Sequence, residues 1–518
     1  EDISHDKTYG QLENVTVVDS LTIRNNSKVT IMGQFNIDEG VTLTIEEGSQ
    51  LIIEGTAFVK IEGNLVIEEN ATVTQNGGNV SVYGNAEIAG EYSVNVKGVS
   101  IVAEQDSVIT IEETGKLSLH WDNSGAMIVK DSARLKVEGT VTNCIANYGT
   151  VEFDSQVPAH IDVAVRLMNE GATAIITNYV LGLNKVNNKN CYLSITDDER
   201  LVDSDGKFLA YTGITSSPDE NSVRMWSNSK LENGDVVSIS GLTFTGRVIS
   251  ESSDDSSANG YYKGKVYEKR LEMSGNLSSV CSDKDGNAKD GELQMELRAR
   301  QGIVIPENEA FTIGSNVKVI NYADYINHTD FTLYVEGAVD ATAENVKFAN
   351  WGIIDVTGSG AIKTLDRITT GTVNAVMFET KNGTETIYNY TTLKTAVDSG
   401  AKDITILGTV KVDESLSIPK DTTVKGDGTV VIGSSENTDV ELVFADGAVA
   451  KNVKFDVDGT LYFENKKDNK ASDIQSDVSV IGEKDARYTN IYTALAKANA
   501  GDTVTVSGDT VDLKKNIT

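Results

Sequence analysis

The sequence has 518 residues and carries 45 lysines and arginines against 77 aspartates and glutamates, a formal net charge of −32. This charge argues against nucleic acid or an anionic membrane surface as a partner, because phosphate groups repel an acidic surface. Hydrophobic residues make up 39% of the chain, which is enough for a sizeable core and excludes wholesale disorder. No run of about 18 apolar residues occurs, so the sequence predicts no membrane span.

The N-terminal part of the chain, residues 14–140, is a succession of short apolar/polar alternations rich in Val, Ile and Thr. Alternation with period two, as in 41–45 and 64–67, is typical of half-buried strands. Glycines separate these alternations at Gly40, Gly48, Gly55 and Gly63, where they would supply the positive φ angles of tight corners. The short period predicts a β-solenoid whose rungs of about 20–25 residues each hold three strands.

The segment 187–300 breaks this short period. Its alternating runs are longer, at 236–240, 261–267 and 293–297, and charged and turn residues become more frequent. We therefore predict an inserted β-rich, sandwich-like domain that projects from the solenoid and is suited to carrying a specific contact. A longer irregular stretch of solenoid is the alternative.

The C-terminal half contains an internal repeat of about 105 residues. Residues 390–393 return as 492–495, and both copies begin a short predicted helix that stops at a glycine, Gly400 or Gly501. Apolar residues at helical spacing mark the two helices, Leu393 with Ala396 and Leu495 with Ala498. A short strand follows each helix, so every module reads as helix, strand, glycine and further strands.

This order resembles the start of a right-handed parallel β-helix of the pectin-lyase-like superfamily. Such folds commonly place an L-x-x-A capping helix before the first rung, followed by a step of the form I-x-x-x-x-T-V-x-G-x-G, which residues 418–428 match. The resemblance covers 386–465 well, 300–385 and 10–150 more loosely, and 190–300 not at all. Repeated modules of this kind are also similar to those of large archaeal and bacterial surface-layer proteins and adhesins.

The predicted fold is therefore all-β: right-handed parallel β-helix or β-solenoid modules with short capping helices and an inserted β-rich domain. The predicted segments are an N-terminal solenoid (1–186), the insertion (187–300), a solenoid module (301–385), a module with a capping helix (386–485) and an incomplete further module (486–518). An unpaired final rung would expose a sticky edge, so we expect the polypeptide to continue past Thr518 or a neighbouring molecule to complete the rung.

One loop suits a divalent cation. Oxygen-bearing side chains alternate along Asp283, Asp285 and Asn287 and recur at Asp290, and Ca²⁺ takes six to eight oxygen ligands. The spacing departs from an EF-hand, which would have Gly at Ala288 and Glu at Gln294. A calcium site and a simple polar turn are both compatible with this pattern. No other cofactor is predicted.

The fold resemblance also raises an enzymatic alternative, because parallel β-helices host polysaccharide lyases and hydrolases. Polygalacturonase-like hydrolases use an Asn-Thr-Asp motif followed by an Asp-Asp pair, and Asn437-Thr438-Asp439 spells the first part. The next 30 residues contain no Asp-Asp pair, so the second carboxylate needed for acid/base chemistry is missing. We therefore predict no catalytic residues and no enzyme.

Two features point to secretion. The chain begins Glu1-Asp2-Ile3 without methionine, as a chain does once a signal peptide has been removed, although a trimmed chain looks the same. It also contains nine N-x-S/T sequons, which are candidate glycosylation sites in a secreted protein. They are Asn14, Asn25, Asn70, Asn79, Asn276, Asn327, Asn382, Asn389 and Asn516.

The combined pattern predicts an extracellular, cell-surface structural protein: a subunit of a surface layer, sheath or filament that contacts copies of itself and is surrounded by glycans. Solenoid ladders make stiff rods, and an acidic, hydroxyl-rich exterior keeps them hydrated and available for cross-linking by divalent cations. An adhesin that binds a glycan or protein through the insertion is the second hypothesis. A β-helix polysaccharide lyase or hydrolase is the third.

Overall fold

The computed structural model contains 58% strand and 3% helix, arranged as a β-solenoid of about 17 turns. The predicted all-β solenoid fold is thereby confirmed. Contacts divide the chain into two compact units, 1–304 with 311–331 and 343–347, and 305–310 with 332–342 and 348–518. The structure describes residues 1–120, 126–156, 163–183, 193–197, 200–202, 208–211, 221–227, 231–252, 265–299, 302–322, 332–464, 474–475, 478–481, 485–488 and 491–506.

The first unit begins with regular coils of three short strands. These strands are β1 (Asp2–Ile3), β2 (Lys7–Tyr9), β3 (Asn14–Val17), β4 (Leu21–Ile23), β5 (Lys28–Ile31), β6 (Gln34–Ile37), β7 (Thr42–Ile45), β8 (Gln50–Ile53), β9 (Phe58–Ile61), β10 (Asn64–Ile67), β11 (Thr72–Gln75), β12 (Asn79–Val82), β13 (Asn85–Ile88), β14 (Glu91–Val94), β15 (Ile101–Ala103), β16 (Val108–Ile111), β17 (Lys116–Ser118), β18 (Met127–Val129), β19 (Arg134–Val137), β20 (Thr140–Asn147), β21 (Thr150–Asp154), β22 (Val163–Leu167) and β23 (Thr173–Gly182). Each strand pairs in parallel with its counterpart one coil away, so the first coils have three faces of parallel strands, as in the pairings β4–β7, β5–β8 and β6–β9.

In-register stacking places residues of the same type beside one another in successive coils. Ile23 lies beside Ile45, Ile45 beside Ile67, and Ile67 beside Ile88, which are offsets of 22, 22 and 21 residues. All four side chains are at most 1% exposed. Inward positions of this kind form aliphatic ladders along the coils, with occasional polar members such as the buried Gln75 beside Ile53, and alternate positions face outward, as period two requires.

The corner glycines have two different physical reasons. Gly40 and Gly48 have φ near +75°, the left-handed conformation predicted from the sequence. Gly63 and Gly84 are instead required by close packing between coils. A Cβ on Gly63 would lie 2.0 Å from the carbonyl oxygen of Val41, and one on Gly84 would lie 1.9 Å from that of Gly63. A side chain at either position would force neighbouring coils apart.

The predicted insertion is β-rich, and several of its strands continue the sheets of the coils. Its described strands are β24 (Leu193–Asp197), β25 (Arg200–Val202), β26 (Phe208–Tyr211), β27 (Asn221–Ser227), β28 (Val236–Ser252), β29 (Lys265–Ser282) and β30 (Leu293–Ala299). In one sheet β23 pairs antiparallel with β28, and β28 with β29. In another, β24 pairs in parallel with β22 and antiparallel with β27, which pairs antiparallel with β30. The chain thus reverses direction here without leaving the hydrogen-bonded sheets.

The outer ends of the β28–β29 hairpin extend the same sheet beyond the coils. Beyond Thr245, the last residue of β28 opposite β23, β28 continues to pair with β29 as far as Ser252. Strand β25 pairs antiparallel with both β29 and β26, which gives the order β26-β25-β29-β28. This four-stranded antiparallel extension of the sheet is the described part that corresponds best to the predicted insertion. The five predicted segment boundaries stay predictions.

The remaining elements return to parallel coils, interrupted by two hairpins. They are β31 (Ile303–Ile305), β32 (Ala310–Ile313), β33 (Val317–Asn321), β34 (Thr332–Val335), β35 (Ala338–Ala341), β36 (Lys347–Asn350), β37 (Ile353–Val356), β38 (Ala361–Thr364), β39 (Thr372–Asn382), β40 (Glu385–Thr391), α1 (Leu393–Asp398), β41 (Asp403–Leu407), β42 (Thr409–Val412), β43 (Leu416–Ile418), β44 (Thr423–Gly426), β45 (Thr429–Ile432), β46 (Glu441–Phe444), β47 (Val449–Lys451), β48 (Val453–Val457), β49 (Thr460–Phe463), β50 (Ile474–Gln475), β51 (Val478–Ile481), β52 (Asp485–Tyr488), α2 (Ile491–Lys497) and β53 (Thr503–Val506).

The predicted helix-bearing module occurs twice with the same topology. A hairpin (β39–β40, then β51–β52) comes first, a short helix follows (α1, then α2), and the next strand (β41, then β53) pairs antiparallel with the first hairpin strand. The second hairpin strand also closes the preceding coil, since β40 pairs antiparallel with β38 and β52 with β49.

The structure corrects the alignment of the two copies. The sequence repeat pairs Tyr390 with Tyr492, but the buried tyrosine at the end of the second hairpin is Tyr488. Correspondingly, the fully buried helix alanines are Ala396 and Ala494, so Ala498 is not the counterpart of Ala396. A shift of four residues is close to one helical turn and keeps the same apolar face, which is why the pattern alone allowed the wrong register.

The aliphatic ladders give a direct stability prediction. Ile67→Ala should lower the free energy of unfolding by about 3 kcal/mol, because it leaves a cavity between two stacked isoleucines. The outward neighbour Val66 is only partly buried, so Val66→Ala serves as the matched control and should cost less than about 1 kcal/mol. Urea denaturation followed by circular dichroism measures both variants. Equal losses would contradict the inward assignment of Ile67.

Candidate functional site

Stacking places glutamates of successive coils above one another at one corner of the first unit. Glu46 and Glu47 follow β7, Glu68 and Glu69 follow β10, and Glu112 and Glu113 follow β16. We call these six residues the acidic corner. The backbone N–H of Glu46 donates to Ile23, that of Glu68 to Ile45 and that of Glu112 to Ile88, so all three turns leave the sheet at equivalent positions. Parallel strands are about 4.8 Å apart, which fixes the spacing of adjacent turns.

The turns of the acidic corner are joined by hydrogen bonds. The backbone N–H of Glu47 donates to a carboxylate oxygen of Glu68 at 3.4 Å, and the Asn70 amide donates to Glu47 at 3.2 Å. The corner is interrupted for one coil, where Ala89 and Gly90 follow β13. These bonds order the turns and leave most of the carboxylate surface facing solvent.

The acidic corner has little compensating charge within the chain. Among the described residues, none of its six carboxylates lies within 4.0 Å of a lysine, arginine or histidine nitrogen. Partial burial raises the pKa of Glu112, and the nearby charges of Glu138 and Glu87 raise it further, against the smaller opposing effect of the Lys136 charge. Such a row of carboxylates attracts cations or a basic surface. The sequence signal was the recurrence of Glu-Glu before a corner, which the sequence analysis did not single out.

The predicted calcium loop has a well-defined internal structure. One carboxylate oxygen of Asp283 accepts the backbone N–H groups of Asp285 and Asn287 at 2.9 and 2.8 Å, and the other accepts the Asn287 amide at 2.9 Å. These hydrogen bonds hold the pKa of Asp283 below its usual value. The side chains of Asp285 and Asp290 point to solvent, as exposed residues. The donors around Asp283 support a turn, and a cation would have to displace them.

No group of three or more His, Cys, Asp or Glu side chains with metal-site geometry occurs in the described part of the chain. This includes the loop at Asp283. Calcium binding there stays a prediction, and the acidic corner offers carboxylates of a single chain at strand spacing, which suits cations shared between molecules.

The Asn-Thr-Asp motif lies in a turn. Ser434 and Asn437 form an isolated antiparallel bridge, and the exposed Asp439 carboxylate is 2.9 Å from the Lys497 ammonium group. A turn asparagine and a carboxylate that forms an ion pair are ordinary surface features. The absence of catalytic function stays a prediction.

The structure distinguishes among the nine sequons. Asn389 is only 6% exposed, and its amide nitrogen donates to Phe378, Thr380 and Ile387. A glycan on this nitrogen would require both exposure and the loss of hydrogen bonds, so we expect Asn389 to carry none. Asn327 and Asn516 lie outside the described residues. The exposed sequon asparagines are Asn14, Asn25, Asn70, Asn79, Asn276 and Asn382.

No protein-family model matches the chain, and no curated protein matches it significantly. Within the described residues, neither α1 nor α2 is long and apolar enough to cross a membrane.

The acidic corner predicts a pH-dependent stability effect. Because the folded-state pKa of Glu112 is raised, its ionised form costs stability at neutral pH, and the cost disappears as the pH falls below the unfolded-state value. Glu112→Gln should therefore stabilise the protein at pH 7 by on the order of 0.5 kcal/mol, the size of one like-charge contact, and give no gain near pH 4. Thermal unfolding at both pH values measures this, with Glu39→Gln as the control at another exposed turn. An equal gain at both pH values would contradict the charge explanation.

The sequons give a second prediction. Expressed through a secretory pathway that glycosylates N-x-S/T, the protein should carry a glycan at the hairpin tip, Asn382, and none at the buried Asn389. Mass spectrometry of the glycopeptides measures occupancy at both positions. Asn389 occupied as fully as Asn382 in folded, secreted protein would refute the role of burial.

Proposed function

We propose that the chain is a structural subunit of an extracellular surface layer, sheath or filament, assembled through contacts between β-solenoids. The observation that carries this proposal is the in-register stacking of the coils, which repeats outward residues at strand spacing and creates the acidic corner. Surfaces that repeat a chemical group at a fixed interval suit contacts that are themselves repeated.

Three physical features support assembly outside the cell. The inward ladders are buried, and the outward positions and turns are rich in hydroxyl, amide and carboxylate groups, so the exterior binds water well. The carboxylates of two neighbouring molecules can be bridged by Ca²⁺, which accepts oxygen ligands from more than one chain. Exposed sequons such as Asn382 are accessible to glycosylation on the same surface.

An adhesin is the second candidate, and one observation favours it. The sheet of β26, β25 and the outer ends of β29 and β28 is composed of strands that extend beyond the pairing with β23. An element added to a regular scaffold is a common place for a specific contact. Under this hypothesis a monomer binds a cell-surface glycan or protein, and removal of this sheet abolishes binding.

Assembly is tested by electron microscopy of the purified, glycan-bearing protein at rising concentration with millimolar Ca²⁺. We expect sheets or fibres that dissolve when a chelator removes the calcium, because the acidic chains then repel one another. Isolated monomers under all conditions would refute the structural proposal. Monomers that bind cells or glycans would support the adhesin, and release of reducing or unsaturated sugars from acidic polysaccharides would establish an enzyme.

A further inference from the structure

The second unit contains a pocket lined by basic side chains, which the sequence alone did not reveal. It has a volume of about 470 Å³ and lies between the outward faces of β39, β41 and β44. Four basic side chains line it, together with two acidic ones. These are Arg367, Lys381, Lys402 and Lys425, with Glu379 and Asp403.

The positive charge of this basic pocket is only partly neutralised. Lys425 forms an ion pair with Asp403 at 2.7 Å, and Arg367 lies 4.0 Å from Glu379. Lys381 donates to the hydroxyl of Thr386, and Lys402 donates to the carbonyl oxygen of Lys420 at 3.1 Å. Both acceptors are neutral, so among the described residues neither ammonium group has a carboxylate within 4.0 Å.

The basic pocket continues as a row along the sheet. Lys425 on β44 is the register partner of Lys451 on β47, so the two side chains leave adjacent strands at equivalent positions. Their spacing is the strand spacing of about 4.8 Å, which also separates adjacent turns of the acidic corner. A row of lysines and a row of glutamates with the same spacing along their sheets can form successive ion pairs. Each ion pair then has the same geometry as its neighbour.

We propose that the basic pocket of one molecule receives the acidic corner of a second copy, with the carboxylates of Glu68 and its neighbours meeting Lys402, Lys425 and Lys451. This inference rests on the proposed structural function and names its contact. On a chain of net charge −32, a place where opposite charges meet favours association of two copies, and Lys402, which has no carboxylate within 4.0 Å among the described residues, contributes unneutralised charge to it.

The contact joins two different surfaces, the acidic corner in one unit of the chain and the basic pocket in the other, so it is heterologous whenever these surfaces engage different copies. Heterologous contacts produce rings where the rotation closes, and open filaments or sheets where it does not. Because the contact is between exposed charges, we expect it to weaken as ionic strength rises towards 1 M, where the Debye length falls to about 3 Å.

Charge reversal tests the pairing. Lys402→Glu with Lys425→Glu reverses the pocket, and Glu68→Lys with Glu112→Lys reverses the corner. Each double variant alone should raise the critical concentration for assembly by about tenfold or more, because like charges then face each other. An equimolar mixture should assemble again, since the reversed corner of one variant fits the reversed pocket of the other.

The matched control is Lys411→Glu with Lys454→Glu, which makes the same change in net charge at exposed positions away from the pocket. It should assemble like the wild type. Circular dichroism confirms that each variant is folded, and sedimentation measures assembly.

The possible outcomes separate the two proposals. Failure of the wild type to assemble refutes the proposed function. A wild type that assembles, together with a Lys402/Lys425 variant that assembles equally well, refutes the contact and leaves the proposed function standing. A mixture that does not recover also refutes the contact. If the pocket variant assembles normally but loses binding to polygalacturonate, the pocket is a site for an acidic glycan and the inference is wrong.

Discussion

The backbone hydrogen bonds between successive coils are the constraint on which the rest of this structure depends. They run between parallel strands in strict register, so each residue has its counterpart one coil away as its nearest neighbour. A side chain is therefore surrounded largely by copies of its own position. Each inward position must therefore hold a residue type that packs well against the same type, and aliphatic side chains do so in every coil.

The same constraint explains both the core and the charged surface. Inward isoleucines gain from stacking, since each removes apolar surface of its neighbour from water. For outward glutamates such as Glu68, stacking costs free energy, because each places a like charge near the next coil. A solenoid can tolerate such a row where solvent, cations or another molecule compensates the charge. Glu138, one coil beyond Glu112, has such compensation within the chain, because its carboxylate forms an ion pair with Lys136.

Much of the fold could be predicted because the solenoid signal is local. A period of two within strands and glycines at corners is sufficient to predict three-stranded coils, and the L-x-x-A pattern is sufficient to predict α1 and the presence, though not the register, of α2. The predicted register of the second helix was wrong because a shift of four residues leaves helical periodicity nearly unchanged. The same shift led to Tyr492 being matched with Tyr390 in place of Tyr488. The antiparallel pairing of β28 with β29, and the pocket that gathers Arg367 with Lys425, depend on contacts between distant residues, which a single sequence does not reveal.

The antiparallel hairpins that precede α1 and α2 also bear on how the chain folds. Strands β39 and β40 are joined by a two-residue turn, Gly383 and Thr384, whereas neighbouring strands within a sheet of the coils are separated by about a full coil of chain. A hairpin of this kind closes in about 1–10 μs, long before contacts that require long loops to close. The hairpin and the helix together expose a strand edge with which the adjoining coils can pair, one coil after another. The interruptions of the parallel ladder are thus natural starting points for its growth, and they divide a long repetitive chain into separately nucleated stretches.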